Sequence, residues 1–82
     1  MFTMDTNKDA EVRRKIGNEI RAARARARLT QMQLAEKSGI SRATIARYEA
    51  GERSVSVEHL LTMALVMDAD AGKMLDAAQF GK

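Results

Sequence analysis

Two short stretches of helical character, Gln31 to Ser38 and Arg42 to about Ala50, lie three residues apart in the segment LTQMQLAEKSGISRATIARYEAG, residues 29–51. That spacing constrains the fold more than any other feature of the chain. Thr30 and Ser41 each precede a helical stretch, where a hydroxyl can accept a bond from one of the free N–H groups at the helix start. Gly39 and Gly51 each follow one, where a residue without a Cβ enters the left-handed conformation at little steric cost. Helices joined by so short a turn cross steeply. The expectation is that Ala35 is small at the point of approach and that Leu34, Ile40, Ile45 and Tyr48 face a shared core.

The flanking sequence continues the helical pattern. From Ala10 to Arg28 the apolar residues Val12, Ile16, Ile20, Ala23 and Ala27 recur at intervals of three or four, with arginine crowding the opposite side. A fourth helix is expected after Ser56, with Leu60, Leu61, Ala64, Leu65 and Met67 inward, and a fifth from about Asp70 to Gln79, burying Met74, Leu75 and Ala78. Residues 1–9, MFTMDTNKD, lack periodicity and are expected to form a disordered arm ahead of a single domain over 10–79, with a tail at 80–82. No strand pattern, repeat or proline interrupts this reading, so the predicted fold is an all-α bundle of five short helices. A chain of 82 residues buries only roughly 60% of its unfolded surface and has room for one site.

Composition removes several function classes. Without cysteine there is no disulfide, no thiolate zinc site and no thiol chemistry, and His59, the single histidine, cannot form a histidine cluster. No paired carboxylates, nucleophile with its base, or phosphate loop is present, so no catalytic residue, metal or cofactor is expected and the chain does not read as an enzyme. Met63, Met67 and Met74 read as core or interface filler, and His59 as a surface or capping residue. The run LLTMALVM is too short to span a bilayer, and Asp5 and Asp9 break the order of a signal peptide, so an intracellular protein is expected. The net charge of +3 is unevenly distributed. Residues 11–28 carry seven Lys or Arg against two Glu, whereas residues 55–82 carry two Lys against four acids. One face is thereby suited to a polyanion, with plain solubility as the alternative account.

Taken together, IRAAR (20–24), LTQMQLAEKSGIS (29–41), IARYEAGER (45–53) and LLTMALVMD (60–68) carry a wider resemblance. In order and spacing they resemble the phage Cro/repressor family of helix-turn-helix DNA-binding domains, the XRE family, whose fold is lambda-repressor-like. The resemblance covers roughly Ile16 to Leu75. The chain departs from the family pattern at Val55, where a proline is common, at Ser38, a usually apolar position, and in an N-terminal extension of basic character on the helix-one side.

The resemblance implies that the second helix crosses the sugar-phosphate backbone while the third lies in the major groove. It implies base contacts for Arg42, Ala43 and Arg47, with Thr44 nearby. An arginine can pair with O6 and N7 of guanine, for about 1–3 kcal/mol of discrimination, and Ala43 can meet a thymine methyl. Phosphate contact or solvated charge is the alternative for the two arginines. Phosphate contacts are implied for Gln31, at a helix N-terminus that favours anions, and for Ser41, Arg53 and Ser54. Arg24 and Glu49 match positions that form a partly buried ion pair tying the first helix to the end of the third. Arg14, Arg21 and Arg28 share a stripe that reads mostly as solvated surface, and RRK at 13–15 as a nonspecific electrostatic arm or simple solubility.

The function implied is a sequence-specific regulator of double-stranded DNA, a repressor acting as a homodimer on a pseudo-palindromic operator. The C-terminal helix, with Leu75 and Phe80, is the expected interface, although Phe80 could instead complete the monomer core. The expected setting is the cytoplasm of a bacterium, at the nucleoid, with the chain encoded by the bacterium or a phage. No membrane contact and no small-molecule ligand are expected. The alternative is a protein-interaction module such as an antitoxin or regulatory subunit, favoured by any exposed apolar patch.

Overall fold

The computed structural model describes residues 6–81, all of whose regular structure is helical. The helices are α1 (Thr6–Arg26), α2 (Gln31–Ser38), α3 (Arg42–Glu49), α4 (Val57–Val66) and α5 (Ala71–Phe80). α1 starts earlier than apolar periodicity indicated, so residues 6–9 of the expected arm are helical, and residues 1–5 lie outside the described residues. Asp9 in its first turn complements the positive end of the helix, a signal that carries no apolar period.

Local chemistry sets the remaining boundaries. Thr30 and Gln33 form a reciprocal capping box at α2, each side chain accepting from the other residue's backbone N–H, at 3.0 and 2.9 Å. Ser41, Ser56 and Asp70 accept from the third residue of α3, α4 and α5 in turn. Gly39 ends α2 at φ 78° with open space around its Cα, so the conformation rather than crowding calls for glycine there. Two further left-handed ends occur at Arg28 (φ 60°) and Asp68 (φ 53°), which stop α1 and α4. At each, the next residue's N–H reaches back to the carbonyl five residues before it, Leu29 to Arg24 and Ala69 to Ala64. α1 therefore stops at Arg26 instead of Arg28.

The core is built from Ile20, Leu34, Ile45, Tyr48 and Met63, all fully buried, and extends through Leu60, Met67 and Met74. α1 packs on α3 and α5, α2 on α3 and α4, and α4 on α5. Met63 of α4, Met67 at its C-cap and Met74 of α5 are all core residues. Four expected inward residues are not: Val12, Leu61, Leu65 and Leu75 are exposed, Leu65 by 83%; Phe80, expected at an interface or else in the core, is 74% exposed, which sets aside the core alternative. In α4 the inward stripe is Leu60, Met63, Ala64 and Met67, which leaves Leu61 and Leu65 about 100° away on the other side.

Candidate nucleic-acid interface

α2 and α3, joined through Gly39–Ser41, form a helix-turn-helix whose second helix is seated against α1. Ser38, unusual in a turn of this kind, accepts the Ile40 N–H at 3.1 Å and so satisfies a backbone donor inside the turn. The hydroxyl of Ser41 accepts the Thr44 N–H at 3.1 Å and donates to the Thr44 hydroxyl at 2.9 Å, so Thr44, half-buried, is part of the α3 cap. Arg42, Ala43 and Arg47 are exposed on α3. Among the described residues neither the Arg42 nor the Arg47 side chain has an ion-pair or hydrogen-bond partner.

The C-terminal end of α3 is the reverse: both the side chain and the carbonyl of Glu49 are held by side chains of other helices. Glu49 is only 3% exposed, and its carboxylate accepts Arg24 Nε at 2.7 Å and Arg24 Nη2 at 3.0 Å in a two-pronged pair. Gln31 Nε2 donates to the same carboxylate at 3.0 Å, and Arg24 Nη1 donates to the Leu29 carbonyl at 2.9 Å. The hydrogen bonds to Glu49 hold the Arg24 guanidinium above the ordinary arginine value, against desolvation that lowers it and with the Glu49 charge adding to the rise. One buried carboxylate thus joins α1, the first residue of α2 and the last of α3.

Two more arginines of α1 finish this end. Arg21 Nη2 donates to the Glu49 carbonyl at 3.0 Å, and Arg13 Nε to the Gly51 carbonyl at 3.4 Å. They place positive charge at the negative end of the helix dipole. Helix and arginines approach so closely because Gly17 carries no side chain. A Cβ there would strike the Tyr48 carbonyl oxygen and lie 2.8 Å from that of Glu49.

Beyond α3 the loop carries Arg53 and Ser54, both exposed. The Arg53 guanidinium lies 6.0 Å from the centroid of the Tyr48 ring. Tyr48 is buried, and its hydroxyl is 2.6 Å from Nδ1 of His59.

The structure therefore gathers Arg24, Glu49 and Gln31 into one network, Ser41 and Thr44 into one cap, and leaves Arg42, Ala43, Arg47, Arg53 and Ser54 outward. Arg21, read as solvated surface, and Arg13, read as part of a nonspecific arm, instead bond the Glu49 and Gly51 carbonyls, and sequence reasoning passed over Gly17 and the Tyr48–His59 contact altogether. Only Gly17 carried a usable signal, since a glycine inside a long helix costs about 1 kcal/mol relative to alanine and points to close packing. His59, read as a surface or capping residue, is half-buried against Tyr48.

The described residues contain no group of side chains suited to hold a metal ion, and none of their helices is long and apolar enough to cross a membrane. Residues 20–72 match the family model HTH_3, described as helix-turn-helix. Among solved structures, the restriction-modification controller protein C.AhdI from Aeromonas hydrophila is 31% identical, with a TM-score of 0.72 over 76% of this chain and 94% of that one. The clp gene regulator ClgR from C. glutamicum is 29% identical, with a TM-score of 0.78 over 83% of this chain and 87% of that one. No curated protein matches the sequence.

Proposed function

The chain belongs to the XRE family of helix-turn-helix DNA-binding transcription regulators, and from that premise we propose that it is a repressor that binds a pseudo-palindromic operator as a homodimer. α3 enters the major groove with Arg42 and Arg47 at guanine edges and Ala43 against a thymine methyl, while α2 crosses the backbone. Gln31, Ser41, Arg53 and Ser54 make phosphate contacts.

The observation that carries this reading is the contrast between the two ends of α3. Arg13, Arg21 and Arg24 are committed to carbonyl or carboxylate oxygens at its C-terminus, whereas Arg42 and Arg47 are exposed and without a protein partner among the described residues. An exposed arginine pair on the groove side of a helix held from behind is suited to reading bases.

Dimerisation follows from the size of the target, since one short helix spans only a few base pairs and a two-fold pair doubles the site. The exposed Leu75 and Phe80 of α5, together with the exposed row Val57, Leu61 and Leu65 on α4, offer apolar surface for a second copy. The same side chains favour the second reading, an antitoxin or regulatory subunit that covers them with a different protein.

The test is selection of bound duplexes from a random pool, with a salt titration on the winner. Inverted G-containing half-sites about one helical turn apart, bound less tightly as salt rises, are the expected outcome. A pool that yields no preferred sequence overturns operator recognition and leaves the protein-partner reading.

A further inference from the structure

The single histidine lies outside every role assigned so far, yet it makes the direct polar contact between the recognition helix and α4. α3 has extensive packing partners in α1 and α2, but α4 packs mainly on α2 and α5. Across the loop between α3 and α4, the Tyr48 hydroxyl meets His59 Nδ1 at 2.6 Å, and the two rings lie edge to face at 66° with centroids 5.8 Å apart. The imidazole has a fixed origin, because the His59 N–H is donated at 3.0 Å to the Ser56 hydroxyl that caps α4.

Tyr48 is 1% exposed, and among the described residues the one polar partner of its hydroxyl is Nδ1, which accepts the hydroxyl hydrogen when the imidazole carries its proton on Nε2. Leaving it unpaired would carry the cost of a buried unsatisfied donor. The bond therefore fixes the ring, and the ring in turn carries the Arg53 guanidinium. Arg53 is exposed, has no ion pair or hydrogen bond among the described residues, and its contact is this aromatic face.

We propose that His59 is a positioning residue for DNA binding: by accepting a hydrogen bond from Tyr48 it holds the aromatic ring on which Arg53 is presented to the phosphate backbone. This inference rests on the DNA-binding reading above. His59 touches no nucleic acid. It acts from the first turn of α4, through a ring at the end of α3, on a cation in the loop between them. Restricting a long side chain before binding reduces the ordering cost that a phosphate contact otherwise carries.

The experiment is a double-mutant cycle in operator affinity, using the full chain and the duplex selected by the wild type, well below the thermal midpoint of each variant. H59A is expected to weaken binding about threefold to fivefold in the wild-type background and less than about twofold when Arg53 is already alanine, given the modest strength of exposed cation–π contacts. H59N places an amide oxygen near the site of Nδ1 and should restore affinity to within about twofold of wild type. Y48F, which removes only the hydroxyl, closes the same cycle should H59A fail to fold. Equal losses in the presence and absence of Arg53, or unchanged affinity in H59A and Y48F, overturn the proposal. A wild-type chain that selects no duplex overturns the operator reading itself, before any variant is made, and this inference with it.

Discussion

Gly17 of α1 lies directly beneath the Tyr48 carbonyl of α3, so closely that no side chain fits between them. The contact sets the seat of the recognition helix, because the obstructing atoms are backbone and cannot swing away. Gly51, at φ 74°, closes on the same helix one turn earlier, where a Cβ would lie 2.9 Å from the Arg14 Cα. α1 is thus the platform against which the C-terminal end of α3 is indexed.

Gly17→Ala sets two effects against each other. Alanine is favoured in a helix by about 1 kcal/mol, whereas forcing a methyl group into closed backbone packing costs about 2 kcal/mol or more and displaces α3. The clash should prevail, lowering the thermal midpoint by roughly 5–10 °C for a domain of this size. Thermal unfolding followed by circular dichroism measures it. A midpoint at or above wild type would mean that α3 can shift freely, and the platform account fails.

The Arg24–Glu49 pair predicts a second asymmetry. Arg24→Ala leaves a buried carboxylate with Gln31 as its remaining close donor and Arg21 at 3.9 Å, and should destabilise the fold by about 3–5 kcal/mol. Replacing both members with apolar residues of similar size, Arg24→Met with Glu49→Leu, should cost much less than the two single changes together, since no charge remains stranded. Urea unfolding of the four proteins gives the comparison. Additive losses would show that the pair is solvated in solution rather than closed.

Much of this arrangement is legible in the sequence where its causes are local. Thr30, Ser41, Ser56 and Asp70 announce helix starts and Gly39 and Gly51 announce ends, because capping depends on residues within a few positions of one another. Arg28 and Asp68 adopt the same left-handed ends without the residue that signals them. α4 defeats periodicity in another way: apolar residues populate its outer side too, so Leu61 and Leu65 read as inward as Leu60 and Ala64 do. Tyr48 and His59, eleven residues apart across a loop, meet only through the tertiary fold. The carboxylate of Glu49 was readable as part of an ion pair by resemblance, but the Arg21 and Arg13 contacts at the end of α3 depend on the approach that Gly17 permits.

Gln31 and Arg42 separate positioning from readout. Gln31 donates to Glu49, so Gln31→Ala should cost about 1 kcal/mol of stability and, as a phosphate contact, weaken all duplexes alike while reducing the salt slope by about one. Arg42 has no such partner, so Arg42→Ala should leave stability within about 0.5 kcal/mol of wild type while relaxing preference at one base position by about 1–3 kcal/mol. Binding to the selected operator, to single-base variants and to random duplex distinguishes them. Equal losses on operator and random DNA in Arg42→Ala would remove base readout.

The exposed apolar residues of α4 and α5 are the two candidate surfaces for a second copy, and charge substitutions can tell which of them it covers. Leu65 is 83% exposed and Phe80 74%, so replacing either with lysine should change monomer stability by less than about 0.5 kcal/mol. At a dimer interface the same lysine must lose its water, and the charge then opposes association by several kcal/mol. If α5 forms the interface, Phe80→Lys should shift sedimentation from dimer to monomer while Leu65→Lys has no effect; if the α4 row forms it, the pattern reverses. Either loss of the dimer should also cost operator affinity steeply, because a monomer spans one half-site alone. A chain that sediments as a monomer before any substitution, both free and on a two-half-site duplex, would overturn the homodimer and leave these leucines and Phe80 to a different protein.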